Sequence, residues 1–227
     1  MFQNKFLLPL LAVSFLLDSG AFANTDPASA LITVYGVAIS LNTDCSNASV
    51  IGYNPAGTVL DFTKGPAITN AGIVNPGSYP CVILYMSNVI TFTPKANVNT
   101  ACVAGTSYSR VICRGSQCQF TSASPDASNT LVYGALKTPQ ATLSSDTSLP
   151  DKVLLFLSTA STGNGSNGGV AFQQPTSANF GNGLHLANPF VVSDTGGAGT
   201  FVVNFNGQVR DDGNGGCDLN APTFDFR

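Results

Sequence analysis

The chain has 227 residues, 9 of them Lys or Arg and 12 acidic, for a formal net charge of -3; every acidic residue is Asp, tryptophan is absent, and the single histidine is His185. His, Glu, Asp, Lys and Cys carry most acid, base and nucleophile chemistry, so this composition leaves few routes to catalysis. Thinly spread charge with no basic stripe also argues against nucleic acid as a partner.

The N-terminus predicts export. Met1 to Lys5 supply a positively charged start, Phe6 to Leu17 form an apolar run broken only by Pro9 and Ser14, and Ala21-Phe22-Ala23 is a small-x-small cleavage signal. These features define a secretory signal peptide over residues 1–23. The run is shorter than the ~20 residues needed to cross a bilayer. No lipid-anchor cysteine sits at the cleavage point, and no later segment reads as a transmembrane helix. The mature chain from Asn24 is therefore expected in the periplasm, at the cell surface or outside the cell, with a partner in the envelope or on a surface. Cleavage removes Lys5 and Asp18 and leaves the net charge unchanged.

Along the mature chain the dominant period is two, as half-buried strands require. Leu31, Thr33, Tyr35, Val37, Ile39 and Leu41 form one alternating face. Further strands are expected at Thr58 to Phe62, Tyr79 to Met86, Val89 to Thr93, Ser107 to Cys113, Gln117 to Thr121, Thr130 to Tyr133, Val153 to Ser158 and Phe190 to Val192. Phe201, Val203 and Phe205 complete the set. Turn signals separate them at Asn54-Pro55-Ala56-Gly57, Asn75-Pro76-Gly77 and Asp194-Thr195-Gly196-Gly197. Ser122 to Asp151 is rich in Ser, Thr, Ala and Pro, and reads as a long excursion or as a boundary between two β halves. Ser161 to Gly169 reads as a loop tip with nothing to bury.

Within residues 30–94, a first strand is followed by Gly57-Thr58-Val59-Leu60-Asp61-Phe62, then by Val74-Asn75-Pro76-Gly77-Ser78-Tyr79 leading into Cys81-Val82-Ile83-Leu84-Tyr85. This run resembles the prealbumin-type β-sandwich domains of bacterial surface proteins, in which a Gly-x-Tyr after a tight turn launches a core strand. The resemblance covers less than a third of the chain. It implies an extracellular binding or scaffolding module without catalysis, and it carries no functional residues over to this sequence.

Six cysteines, Cys45, Cys81, Cys102, Cys113, Cys118 and Cys217, all lie in the mature part. In an exported chain an even count predicts three disulfides, with connectivity open. Cys113 and Cys118 flank a loop of hairpin length and are a plausible pair. Zinc is the competing reading, but no C-x-x-C pair exists and one histidine is too few.

Three sites offer chemistry. Val191-Val192-Ser193-Asp194-Thr195-Gly196 resembles half of an aspartic protease signature, which needs a second carboxylate. No partner motif occurs, and a turn explains the residues. His185 would have to be the base of any serine hydrolase, yet no Gly-x-Ser-x-Gly elbow presents a nucleophile; between Leu184 and Leu186 it reads as a solvent-facing or hydrogen-bonded strand residue. The strongest candidate is Asp211 to Asn220, where three Asp and two Asn lie among three Gly. Oxygen ligands on a flexible loop suit calcium, with Asp211, Asp212, Asn214 and Asp218 as the ligands. Counted from Asp212, the loop departs from the EF-hand because its fifth position is Gly216 and no Glu closes it. The competing reading is a solvated β-turn.

These observations predict an all-β fold: an antiparallel, disulfide-stapled β-sandwich of prealbumin or immunoglobulin-like type with long Ser/Thr/Gly-rich loops. Residues 24–227 are expected to form a single domain, with a subdivision near 122–151 as the alternative. The expected role is non-enzymatic: binding, adhesion or envelope structure. The rivals are a secreted hydrolase built on Asp residues and a subunit of a surface fibre. Strands too short for a lipid-facing barrel disfavour an outer-membrane pore.

Overall fold

The computed structural model describes residues 23–65, 74–113, 118, 152–164, 168–195 and 199–227. Twelve strands follow in chain order: β1 (Pro27–Ser40), β2 (Ser49–Asp61), β3 (Gly77–Tyr79), β4 (Cys81–Pro94), β5 (Tyr108–Val111), β6 (Lys152–Ser158), β7 (Leu184–His185), β8 (Phe190–Val192), β9 (Phe201–Asn204), β10 (Val209–Asp211), β11 (Cys217–Leu219) and β12 (Thr223–Phe226). Among the described residues there is no α-helix, only 3-10 turns at Phe62–Lys64 and Gly168–Phe172. The fold is all-β. Residues 1–22 of the expected signal peptide, the 122–151 stretch, the tip of the 161–169 loop at 165–167, the expected strand at 130–133, and all of 117–121 except Cys118 lie outside the described residues.

The main sheet has the order β2-β1-β4-β6-β7, and β5 also pairs with β4. Its pairings are antiparallel except for the short β6–β7 contact. β4 is the central strand. β1 lines one of its edges, while β6 pairs with Cys81–Ser87 and β5 with Val89–Phe92 along the other. The sequence predicts two strands here, Tyr79 to Met86 and Val89 to Thr93, separated by the polar Ser87-Asn88. The strand instead runs through, since Asn88 sits fully buried where β6 hands over to β5. Its side-chain amide donates to the Cys113 carbonyl at 3.0 Å, and its own carbonyl accepts from the Ile112 N–H at 2.7 Å. A buried amide with partners satisfies the polarity that would otherwise end a strand. Tyr79, by contrast, belongs to β3, because Pro80 intervenes and lacks an N–H for the ladder.

β1 exchanges faces midway. Ala30, Ile32 and Val34 enter the same apolar core as Val37 and Ile39, although a regular strand would send the two sets to opposite sides. Register shifts between Val34 and Gly36 absorb the odd residue. The predicted face therefore divides: Leu31, Thr33 and Tyr35 are half-buried, Val37 and Ile39 are core, and Leu41 is exposed. Glycine suits the crossing point, since a Cβ on Gly36 would stand 3.0 Å from the Gly52 carbonyl oxygen. The other half of the irregularity lies on β2, whose pairing jumps from Thr58 to Tyr53. Asn54-Pro55-Ala56-Gly57 is the predicted turn, but it is a bulge inside one strand. Asn54 Oδ1 accepts from the Ala56 N–H at 3.1 Å, and Gly57 takes φ 77°.

Both faces of the central strands are buried. On one, Val34, Leu84, Met86, Val153 and Leu155 pack with side chains from the β3–β8 and β9–β12 pairs. Phe62, Phe190, Phe201, Phe224 and Phe226 form the aromatic part of this layer; the Phe201 and Phe226 rings lie 5.1 Å apart and Phe190 and Phe226 5.0 Å apart. On the other face, Ala38, Ile83, Tyr85, Leu154 and Phe156 pack with Cys45 and Ala48. A third cluster joins Phe92, Val98 and Val209 around Cys102 and Cys217. Three disulfides link Cys45 to Cys81, Cys102 to Cys217 and Cys113 to Cys118.

Asp61 ties the end of β2 to its surroundings. Its Oδ1 accepts from the Ala30 N–H, the Thr63 N–H and the Thr63 hydroxyl at 3.1, 3.1 and 2.7 Å, and Lys64 Nζ lies 3.2 Å from Oδ2. Partial burial raises its pKa, but the Thr63 and Ala30 hydrogen bonds and Lys64 outweigh it and hold the carboxyl below the usual 3.8. A depressed folded-state value means that the stabilisation is present above pH 3.8 and is lost as pH falls through the lower value. Replacing Asp61 with Ala is expected to cost about 1–2 kcal/mol at neutral pH. In urea melts the gap from wild type should narrow below pH 3.8. For the aromatic layer, Phe201→Ala should lower the unfolding free energy by about 3–5 kcal/mol in the same assay.

Candidate functional site

The Asp-rich segment folds as a β-hairpin. β10 and β11 pair antiparallel from Val209↔Leu219 to Asp211↔Cys217, so Asp218 is the middle residue of β11, while Asp211 and Asp212 occupy the end of β10 and the connecting turn. Their carboxylates face the turn's own amides. Asp211 Oδ1 accepts from the Gly213 and Gly215 N–H groups at 2.8 and 3.3 Å, and Asp212 Oδ1 from those of Asn214 and Gly216 at 2.8 Å each. Asn99 reaches across, donating to Asp211 Oδ2 at 2.7 Å and to the Gly216 carbonyl at 3.0 Å. Asp218 accepts from Arg210 at 3.4 Å and from the Leu219 N–H at 2.9 Å.

These contacts hold Asp211 below the ordinary carboxylate value, chiefly through Asn99 and then the Gly213 N–H. Asp212 is lowered chiefly by the Asn214 and Gly216 N–H groups. The hairpin thus uses Asp as a turn former. Among the described residues, no group of three or more His, Cys, Asp or Glu side chains is gathered so that it could hold a metal ion. A calcium ion at Asp211, Asp212, Asn214 and Asp218 would share the carboxylates with these donors.

The other two sequence candidates lie apart in the chain. His185 on β7 is exposed between the buried Leu184 and Leu186, with Nδ1 2.9 Å from the Ser161 carbonyl oxygen. A carbonyl can only accept, so the proton of this contact resides on Nδ1, leaving Nε2 as the acceptor of the neutral ring. Asp194 lies in an exposed turn after β8 whose next residues, 196–198, are outside the described set; Ser193 and Thr195 hydroxyls lie 3.0 Å apart there.

Concave surface emerges only in three dimensions. Leu184 and Phe224 form a wall between two cavities. One, of about 680 Å³, brings His185 together with Asp225 and Arg227. Arg227 Nε donates to Asp225 Oδ2 at 2.9 Å, and Asn188 Nδ2 to Oδ1 at 2.8 Å. The other, of about 660 Å³, opens between the main sheet and the β10–β12 segment. Its floor includes Ile32, Met86, Ile90 and Leu155, and Arg110 and Arg210 stand among its polar lining residues.

These residues are spread over seven strands and carry no local motif, which is why sequence reading passes over them. Arg110 gives the one local hint: a charged residue set within the apolar, β-rich run Tyr108 to Ile112.

On the opposite face of the sheet, Lys152 Nζ lies 4.1 Å from the centre of the Tyr35 ring and 5.9 Å from that of Tyr85, and it donates to the Pro55 carbonyl at 3.4 Å. Burial, with Tyr53 and Tyr35 nearby, pushes the Tyr85 hydroxyl up to about 12.

The hairpin geometry makes a direct prediction. In Asp212→Ala, the Asn214 and Gly216 amides should lose hydrogen-exchange protection, measured by NMR, while β4 amides keep theirs. Millimolar calcium should leave the melting temperature of the wild-type protein unchanged; a rise that Asp212→Ala abolishes would show that the loop binds the ion. Compared with known proteins, the chain matches no family model, no curated protein and no solved structure.

Proposed function

We propose that this protein is exported and acts by non-covalent binding in the cell envelope or at the cell surface. The observation that carries the reading is the 660 Å³ cavity and the way its walls are held. β5 supplies Arg110 and Val111 to the cavity, and Ile112, which follows it, leads directly into the Cys113–Cys118 disulfide. β11 supplies Asp218 and Leu219 and begins at Cys217, which is bonded to Cys102. A concave site with apolar and polar lining, next to segments tied by disulfides, has the features of a preformed small-molecule site.

Three disulfides are the chemistry of an oxidising compartment and support export. They agree with a signal peptide over residues 1–23. Among the described residues no helix is long and apolar enough to cross a membrane. The shared core between the main sheet and the β3–β8 and β9–β12 pairs supports a sandwich of the prealbumin type as the architectural reading. A fibre subunit that donates or accepts a strand needs a long regular edge. β2 is the terminal strand of the main sheet's order, and its Asn54–Gly57 bulge and Pro55 interrupt it, which favours binding over polymerisation.

Protease shaving of intact cells followed by cross-linking tests the reading, with release of the chain and recovery of envelope neighbours as the expected result. Recovery of the full-length chain from the cytoplasm alone would overturn it. The disulfide frame is tested separately. Replacing Cys102 and Cys217 with Ser should lower the unfolding free energy by roughly 2–5 kcal/mol.

A further inference from the structure

We propose that the cavity between the main sheet and the β10–β12 segment takes a single-chain amphipathic carboxylate, such as a fatty acid, with its carboxylate on Arg110 and its chain along Ile32, Met86, Ile90 and Leu155. The inference rests on the binding role proposed above and names the ligand class. The cavity volume, about 660 Å³, falls within the range of about 300–1,000 Å³ that small-molecule sites span. Its floor is hydrocarbon: Met86 and Ile90 lie on one side of β4, with Ile32 and Leu155 on the strands flanking it. An apolar chain laid there would be removed from water along its length.

The polar feature that selects the head group is Arg110. It is half-buried on β5, and its Nη1 donates to the Ser109 carbonyl at 3.0 Å. It forms no ion pair among the described residues, although the Asp212 carboxylate is close enough to be stabilised by its charge. A guanidinium has five N–H donors in a planar fork that matches a carboxylate. Arg210, the second cation at this cavity, is already paired with Asp218 at 3.4 Å. A neutral ligand would supply no counter-charge to the Arg110 donors that Ser109 does not already use, whereas an anionic head does.

Isothermal titration of the mature, oxidised protein with dodecanoate below its micelle concentration tests this. One site with micromolar affinity is expected. Dodecanol, which has the same chain without the charge, should bind at least tenfold more weakly. Arg110→Gln should weaken dodecanoate to the level of dodecanol, and Arg110→Lys should fall between. Ala221→Phe, at the cavity lining, should weaken both ligands, with circular dichroism and melting used to confirm that each variant folds. Absence of saturable binding, or equal affinity for acid and alcohol that Arg110→Gln leaves unchanged, would overturn the proposal. Failure here with surface location intact removes the ligand class and leaves the binding role standing. A cytoplasmic location with tight dodecanoate binding would do the reverse.

Discussion

Burial of β4 on both faces and along both edges is the constraint on which the rest of the molecule depends. Cys81 to Asn88 are all buried, so neither side of the strand can face water. Two consequences follow from that burial. The main-chain groups of β4 must find partners within the protein, which β1 supplies along one edge and β6 and β5 in succession along the other. The apolar side chains must also be covered above and below, which calls for the aromatic layer of β8, β9 and β12 on one side and the Cys45–Ala48 segment on the other. The Cys45–Cys81 disulfide ties that second cover to the first residue of the strand it protects.

Much of this was legible in the residues. The period-two pattern located β1 and β9, the apolar runs at Val153 to Ser158 and Phe190 to Val192 marked β6 and β8, and the absence of helix-favouring Glu fitted a chain of strands and turns. What escaped has identifiable causes. β12 (Thr223–Phe226) and β10–β11 are short, and in Asp211 to Asn220 the turn residues outnumber the apolar ones, so hairpin and calcium loop look alike in one dimension. The contacts that shape the turn are just as invisible there: the carboxylates meet backbone N–H groups fixed by the turn together with Asn99, more than a hundred residues away in sequence. The face exchange in β1 was equally hidden, because alternation counts residues and a bulge adds one. The cavity is the extreme case: its lining is contributed by segments from Ile32 to Phe224, and no window of sequence contains it.

The absence of Glu has a structural counterpart. The Asp residues with resolved contacts repeatedly bond to N–H groups one to four positions away, as Asp44 does with Ser46, Asp61 with Thr63 and Asp212 with Asn214 and Gly216. One methylene shorter than Glu, Asp can reach back to its own turn. Acidity in this chain therefore serves mainly to shape connections, and the charge available for recognition falls to the few arginines.

Lys152 gives the sheet a property that its backbone ladders do not. The hydrogen bonds between strands resist sliding, but they hold each strand only to its immediate neighbours. From β6, Lys152 passes over Tyr85 on β4 and Tyr35 on β1 and reaches the Pro55 carbonyl in the β2 bulge. It is a transverse strut spanning four strands with one side chain. Tension that tends to peel β2 from the sheet is thus shared with β6, on the far side of β4 in the same sheet.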